Sequence, residues 1–180
     1  MSRQALISEL ASEIDERGCR RVGVDGVDGA GKTRFAEELA AALGTATTRV
    51  HIDDFLNPPA VRYRRGRDSP EGFFLDSFDL DAFVRAVANV TDTVVVADGI
   101  FLHRDELAEL WDYSIWLEVP FAISVPRAAA RGYGLDDPDP AAQPNRRYVE
   151  GQRLYIDRCR PHERATVVID NSHLASPRRI

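Results

Sequence analysis

One run of residues constrains this chain more than anything else in it: Gly26-Val27-Asp28-Gly29-Ala30-Gly31-Lys32-Thr33, a full match to G-x-x-x-x-G-K-[ST]. Each residue type has a physical reason. Glycines let backbone N–H groups turn inward and approach phosphate oxygens without a Cβ in the way. A helix opening near Lys32 aims its positive end at the same oxygens. The lysine brings a compact charge to the outer phosphates, and the threonine hydroxyl is a ligand for Mg²⁺. The setting agrees with the motif. Val22 and Val24 mark a short strand before it, Phe35, Leu39 and Leu43 keep helical period after it, and Gly44 ends that helix. Strand, glycine-rich turn and helix in this order predict an α/β fold with a phosphate site at the strand's end. Its residues are Gly26, Val27, Asp28, Gly29, Ala30, Gly31, Lys32 and Thr33, with Arg34 directly behind.

Composition sharpens the point. Of 23 basic residues 22 are arginine, and Lys32 is the single lysine. It stands where a broad planar guanidinium would fit poorly. The sole lysine also excludes the Asn-Lys-x-Asp guanine-recognition motif. Asp98-Gly99 is not the D-x-x-G switch of GTPases, and no ABC-transporter signature is present. A net charge of −6 argues against general affinity for nucleic acid or anionic membrane. No apolar run reaches the roughly 20 residues that span a bilayer. Ser2-Arg3-Gln4-Ala5-Leu6 lacks a signal peptide's apolar stretch, and Cys19 and Cys159 have no metal-like spacing. The expectation is a single domain over residues 1–180, in a reducing cytoplasm, with two free thiols.

The remaining elements alternate. Leu6, Leu10 and Ile14 give an amphipathic first helix stopped by Gly18, followed by a strand over 20–25. Strands are also expected at 49–52, 93–97, 114–119 and 166–169. Helices are expected at 32–43, after an Asp79 cap through Leu80, Phe83, Val84 and Val87, at 103–110, at 121–131 and at 145–159. Residues 53–77 lack a clear period and read as irregular; the tail after Asn171 carries no signal. Strands alternating with helices imply a three-layer α/β/α fold around a mostly parallel sheet.

Two acidic sites follow strands, Asp53-Asp54-Phe55 and Asp98-Gly99. Ligands of open parallel sheets gather at the strands' carboxyl ends, so these carboxylates are expected beside the phosphate loop. Asp53 is the candidate base for an attacking hydroxyl, and Asp98 assists Mg²⁺ with Thr33. Arg127 and Arg131 lie one helical turn apart, before a Gly-, Asp- and Pro-rich loop. That arrangement fits a lid over about 127–146, with Arg131 acting on the transferring phosphoryl group and Arg127 on the nucleotide. Arg62-Tyr63-Arg64-Arg65-Gly66-Arg67 is a basic island suited either to an anionic acceptor or to solvent. Tyr148, Gln152 and Tyr155 share one face of the last long helix, as pocket lining or as packing. The acceptor candidates are Asp54, Phe55, Tyr63, Arg65, Tyr148 and Gln152.

Together these segments resemble the uridine kinase family, in the group that includes phosphoribulokinase and bacterial pantothenate kinase. The resemblance runs from about Arg20 to Asn171. Asp53-Asp54-Phe55 is similar to the family's Asp-Ser-Phe-Tyr segment, whose first Asp is the general base. Asp98-Gly99-Ile100 is similar to a Glu-Gly-Ile segment whose acid helps bind Mg²⁺, and Arg131 falls where the family has a lid arginine. One segment departs. Ser77-Phe78-Asp79-Leu80-Asp81-Ala82-Phe83 stands for Asn-Phe-Asp-His-Pro-Asp-Ala-Phe, with leucine for a base-contacting histidine and one residue missing. The resemblance implies an ATP- and Mg²⁺-dependent kinase of a small-molecule hydroxyl. The alternatives are another acceptor, such as a sugar phosphate or pantothenate-like alcohol, or a nucleotide-dependent regulatory protein with little turnover. The expected partner is the small-molecule acceptor, with neither nucleic acid nor membrane; self-association is left open.

Overall fold

The computed structural model describes residues 2–132 and 134–180, and Tyr133 of the expected lid lies outside them. Helix α1 (Arg3–Glu16) opens on Ser2, whose hydroxyl accepts from the Ala5 amide. It buries Leu6, Ile7, Leu10, Ala11 and Ile14, and Gly18 ends it at φ +63°. Strand β1 (Arg21–Gly26) leads into the loop, α2 (Lys32–Ala42) and β2 (Thr47–His51). Then come α3 (Pro59–Arg62), α4 (Pro70–Asp76) and α5 (Leu80–Ala88), followed by β3 (Val94–Gly99) and β4 (Tyr113–Glu118). The chain closes with α6 (Phe121–Ala129), α7 (Arg146–Cys159), α8 (Pro161–Arg164), β5 (Val167–Asp170) and β6 (Arg178–Arg179).

The six strands form one sheet in the order β2-β3-β1-β4-β5-β6. Strands β1 to β5 pair in parallel and β6 adds an antiparallel edge, so the expected mostly parallel α/β fold is present. β3 is buried throughout and β1 and β4 nearly so, as apolar β-branched runs covered on both faces should be. Edge strand β2 is only partly buried. The pairing register aligns the strand ends: Val24 and His51 both lie opposite Asp98, and Asp25 lies opposite Gly99. The ends of β1, β2 and β3 are therefore level at one edge of the sheet. Among the described residues, no helix is long and apolar enough to cross a membrane.

Three expectations are corrected. Residues 53–77 are ordered: a 3₁₀ turn (Ile52–Phe55), then α3, then α4. The signal for α4 was local, since Ser69 accepts from the Gly72 amide at 3.0 Å and Pro70 takes the first turn. The expected helix at 103–110 shrinks to one 3₁₀ turn, Asp105–Leu107. Its first residues are diverted: the His103 amide donates to Asp25, and buried Arg104 donates to the Phe74 carbonyl and the Glu106 carboxylate. The tail is not featureless either, because β6 pairs with Ile169 and Asp170.

Candidate active site

The loop after β1 is built tightly. The Asp25 carboxylate takes the Gly26 amide at 2.7 Å, and the Ala30 amide closes a turn on the Val27 carbonyl at 3.0 Å. Gly29 sits at φ +78°, where a Cβ would lie 2.0 Å from the Ser124 carbonyl of α6, so glycine is required there. Gly31 precedes α2 at φ +90°, in the left-handed region. Fully buried Asn171 donates to the Ala30 carbonyl at 2.7 Å, pinning the loop to the segment after β5. The Lys32 ammonium rests on the Val27 carbonyl at 3.0 Å.

A cavity of about 430 Å³ opens over this loop. Its lining takes Asp28, Gly29, Gly31, Lys32 and Thr33 from the loop and the start of α2, His51, Asp53, Asp54, Asp98 and Gly99 from the ends of β2 and β3 and the turn after β2, and Ala128 and Arg131 from α6 and the residues after it. The Thr33 hydroxyl donates to Asp98 at 2.9 Å. Burial raises the Asp53 pKa above its usual value; Lys32 and His51 pull against the shift, and Asp98 and Asp54 add to it. Asp28 is likewise raised, chiefly by burial, with Lys32 opposing and Asp53 adding. A carboxyl that holds its proton more firmly than in water suits proton transfer from a hydroxyl.

The structure thus brings Asp28, Lys32, Thr33, Asp53, Asp54, Asp98 and Arg131 around one space. Other candidates lie outside its lining. Val27 and Ala30 are buried within the loop's own turn, and Arg34 is exposed in an i,i+4 pair with Glu38 at 2.8 Å. Arg127 donates to the Asn171 carbonyl at 3.2 Å and to that of Ser172. Phe55 packs edge-on against Phe83, Tyr148 against Phe73, and Tyr63 lies among the guanidiniums of Arg62, Arg67 and Arg147. Arg65 pairs with buried Asp76 at 2.8 Å.

Gln152 is buried behind the loop. Its carbonyl accepts the Asp28 amide at 2.6 Å, and its NH₂ donates to the Asp28 carboxylate at 3.2 Å and the Tyr148 carbonyl at 3.0 Å. Tyr155 on the same helical face donates to Asp25 at 2.5 Å, beside His103.

Sequence reasoning passed over Arg49 and His51. Arg49 donates to one Asp98 oxygen at 2.5 Å, and the His51 Nδ1 lies 2.8 Å from the same oxygen. The signal was the spacing Arg49-x-His51 on a strand, which puts both side chains on one face two residues ahead of Asp53.

Parallel strands bearing this loop and its acidic strand ends define the class of P-loop α/β proteins. Within that class the fold is similar to a solved structure from Bacillus stearothermophilus described as a possible uridine kinase. The TM-score is 0.69 with 19% identity, covering 92% of this chain and 96% of that one. The likeness is one of fold. The chain matches no protein-family model and no curated protein sequence.

Proposed function

We propose that this protein is a kinase that moves the γ-phosphoryl group of ATP to a hydroxyl of a small molecule. One observation carries the reading: Lys32, the Thr33–Asp98 pair, Asp53 and Arg131 all border one cavity at the carboxyl edge of the sheet. Its volume, about 430 Å³, lies in the range of small-ligand sites.

The loop amides and the start of α2 bind the nucleotide's phosphates, and Lys32 leaves the Val27 carbonyl to meet them. Thr33 and Asp98 are the residues that would hold Mg²⁺, directly or through its bound water; a hydroxyl and a carboxylate 2.9 Å apart are hard oxygen groups that fit such an ion. When bound, the ion neutralises charge on the transferring group. Asp53 orients the acceptor hydroxyl and accepts its proton as attack proceeds in line. Arg131, at the end of the α6 segment, stabilises the charge that builds on the equatorial oxygens and excludes water as the lid closes.

The test is direct. The protein is incubated with ATP and Mg²⁺ alone and then with a panel of nucleosides, sugars, sugar phosphates and acidic alcohols, and ADP release is followed. Acceptor-stimulated release is the expected result. Tight ATP binding that no acceptor stimulates would instead identify a binding or regulatory protein.

A further inference from the structure

We infer that Arg49 is a positioning residue that holds Asp98 as an already compensated carboxylate, so that the protein alone binds divalent cations weakly. The inference rests on the proposed nucleotide site, where Asp98 already has a role, and adds Arg49, which has none there. Asp98 is 3% exposed at the end of β3. A carboxylate offers about four lone-pair directions. One oxygen of Asp98 already faces the Arg49 guanidinium at 2.5 Å and the His51 Nδ1 at 2.8 Å, and the other accepts the Thr33 hydroxyl at 2.9 Å. One direction is left free, on the oxygen beside Thr33, which suits a hydrogen bond from a metal-bound water.

Direct ligation through the other oxygen would break a mostly buried ion pair and strand the arginine, a costly change. The arginine is also braced. The β2–β3 register sets Arg49 opposite Val96, and its Nε donates to the Val96 carbonyl at 3.2 Å. Among the described residues no group of three or more His, Cys, Asp or Glu side chains could hold a metal ion by itself. A cation here therefore depends on oxygens that arrive with the nucleotide. This arrangement couples metal entry to nucleotide binding.

The experiment uses the full chain and Mn²⁺ as probe. The free-ion electron paramagnetic resonance signal is followed with and without ADP, in wild type, R49M and R49K. The wild type is expected to bind Mn²⁺ far more tightly with ADP than without. R49M, which keeps the stem and removes the charge, should bind Mn²⁺ without nucleotide at least about tenfold more tightly than wild type. R49K keeps the charge and should follow the wild type. Nucleotide-free affinity unchanged or weakened in R49M, or R49K binding as tightly as R49M, would overturn the inference. So would a wild type that binds the ion equally well with and without ADP, a result that stands even if R49M fails to fold. Calorimetry with ADP in the absence of metal reads the nucleotide site separately. No ADP binding there would sink the proposed function, while the nucleotide-free comparison would still report on Arg49.

Discussion

Lys32 shows how much a single side chain can be asked to do. Its ammonium lies on the Val27 carbonyl, within the loop proposed to bind phosphates. Lys32→Arg is expected to keep the thermal transition and lose roughly 10²-fold or more in phosphoryl transfer, because a guanidinium is too broad for that turn. Near-normal turnover would remove the argument from shape. Asp53 and Asp98 should part company under the same change. Asp53→Asn is expected to lower kcat by roughly 10²-fold with nucleotide binding intact. Asp98→Asn should raise the Mg²⁺ requirement, and identical metal dependence in both variants would refute this division of roles. The raised Asp53 pKa also sets the pH profile. The base works only when deprotonated, so kcat should fall as pH drops through a value above that of an ordinary aspartate. An acid limb at the ordinary value would contradict the buried-base reading.

At the scale of elements, α7 is the brace of the site. Gln152 holds Asp28 and Tyr155 holds Asp25, so one helical face grips both the loop and the strand end that leads into it. Gly151 lets α7 approach α4 closely, since a Cβ there would lie 2.8 Å from both Phe73 and the Pro70 carbonyl. Gln152→Ala would leave the Asp28 amide without a partner and should cost about 1–3 kcal/mol in urea unfolding, with weaker nucleotide binding. A loss in unfolding free energy alone would limit Gln152 to packing. The segment expected to form a lid is less loose than its Gly, Asp and Pro content suggests. Leu135 is buried with Val125, Ala128 and Val149, and buried Asn145 donates to the Asp137 and Asp139 carbonyls at 2.7 and 2.8 Å. Hydrogen exchange should therefore be slow near Asn145, and from Gly134 to Ala142 it should slow further when nucleotide and acceptor bind. Equal exchange in both states would count against a lid.

At the scale of the whole molecule the proposed function turns on its acceptor. Asp79 caps α5 by accepting the Ala82 amide at 2.9 Å, and Leu80 begins that helix partly buried against the core. Leu80 offers a pyrimidine edge no polar partner, and Asp79 already commits one carboxylate oxygen to the cap; an unmatched buried polar group costs about 1–3 kcal/mol. Uridine and cytidine are accordingly expected to be poor acceptors. A kcat/KM for uridine on the order of 10⁴ M⁻¹s⁻¹ or above would overturn that expectation. The basic island gives less to an anionic acceptor than its charge implies, because Asp76 already pairs with Arg64 and Arg65.

The sequence by itself determined the loop, the alternation of strands and helices, and the placement of Asp53 and Asp98 beside Lys32. Those features come from local spacing: a turn that only glycine permits, apolar periods of 2 and 3.6, and carboxylates directly after strands. The tertiary structure alone decided which of those carboxylates are spoken for. Arg49 meets Asp98 through strand register, and Gln152 meets Asp28 across 124 positions of chain. No local pattern encodes such pairings. They arise because folding removes polar groups from water, and each must then find a partner wherever the packed chain supplies one.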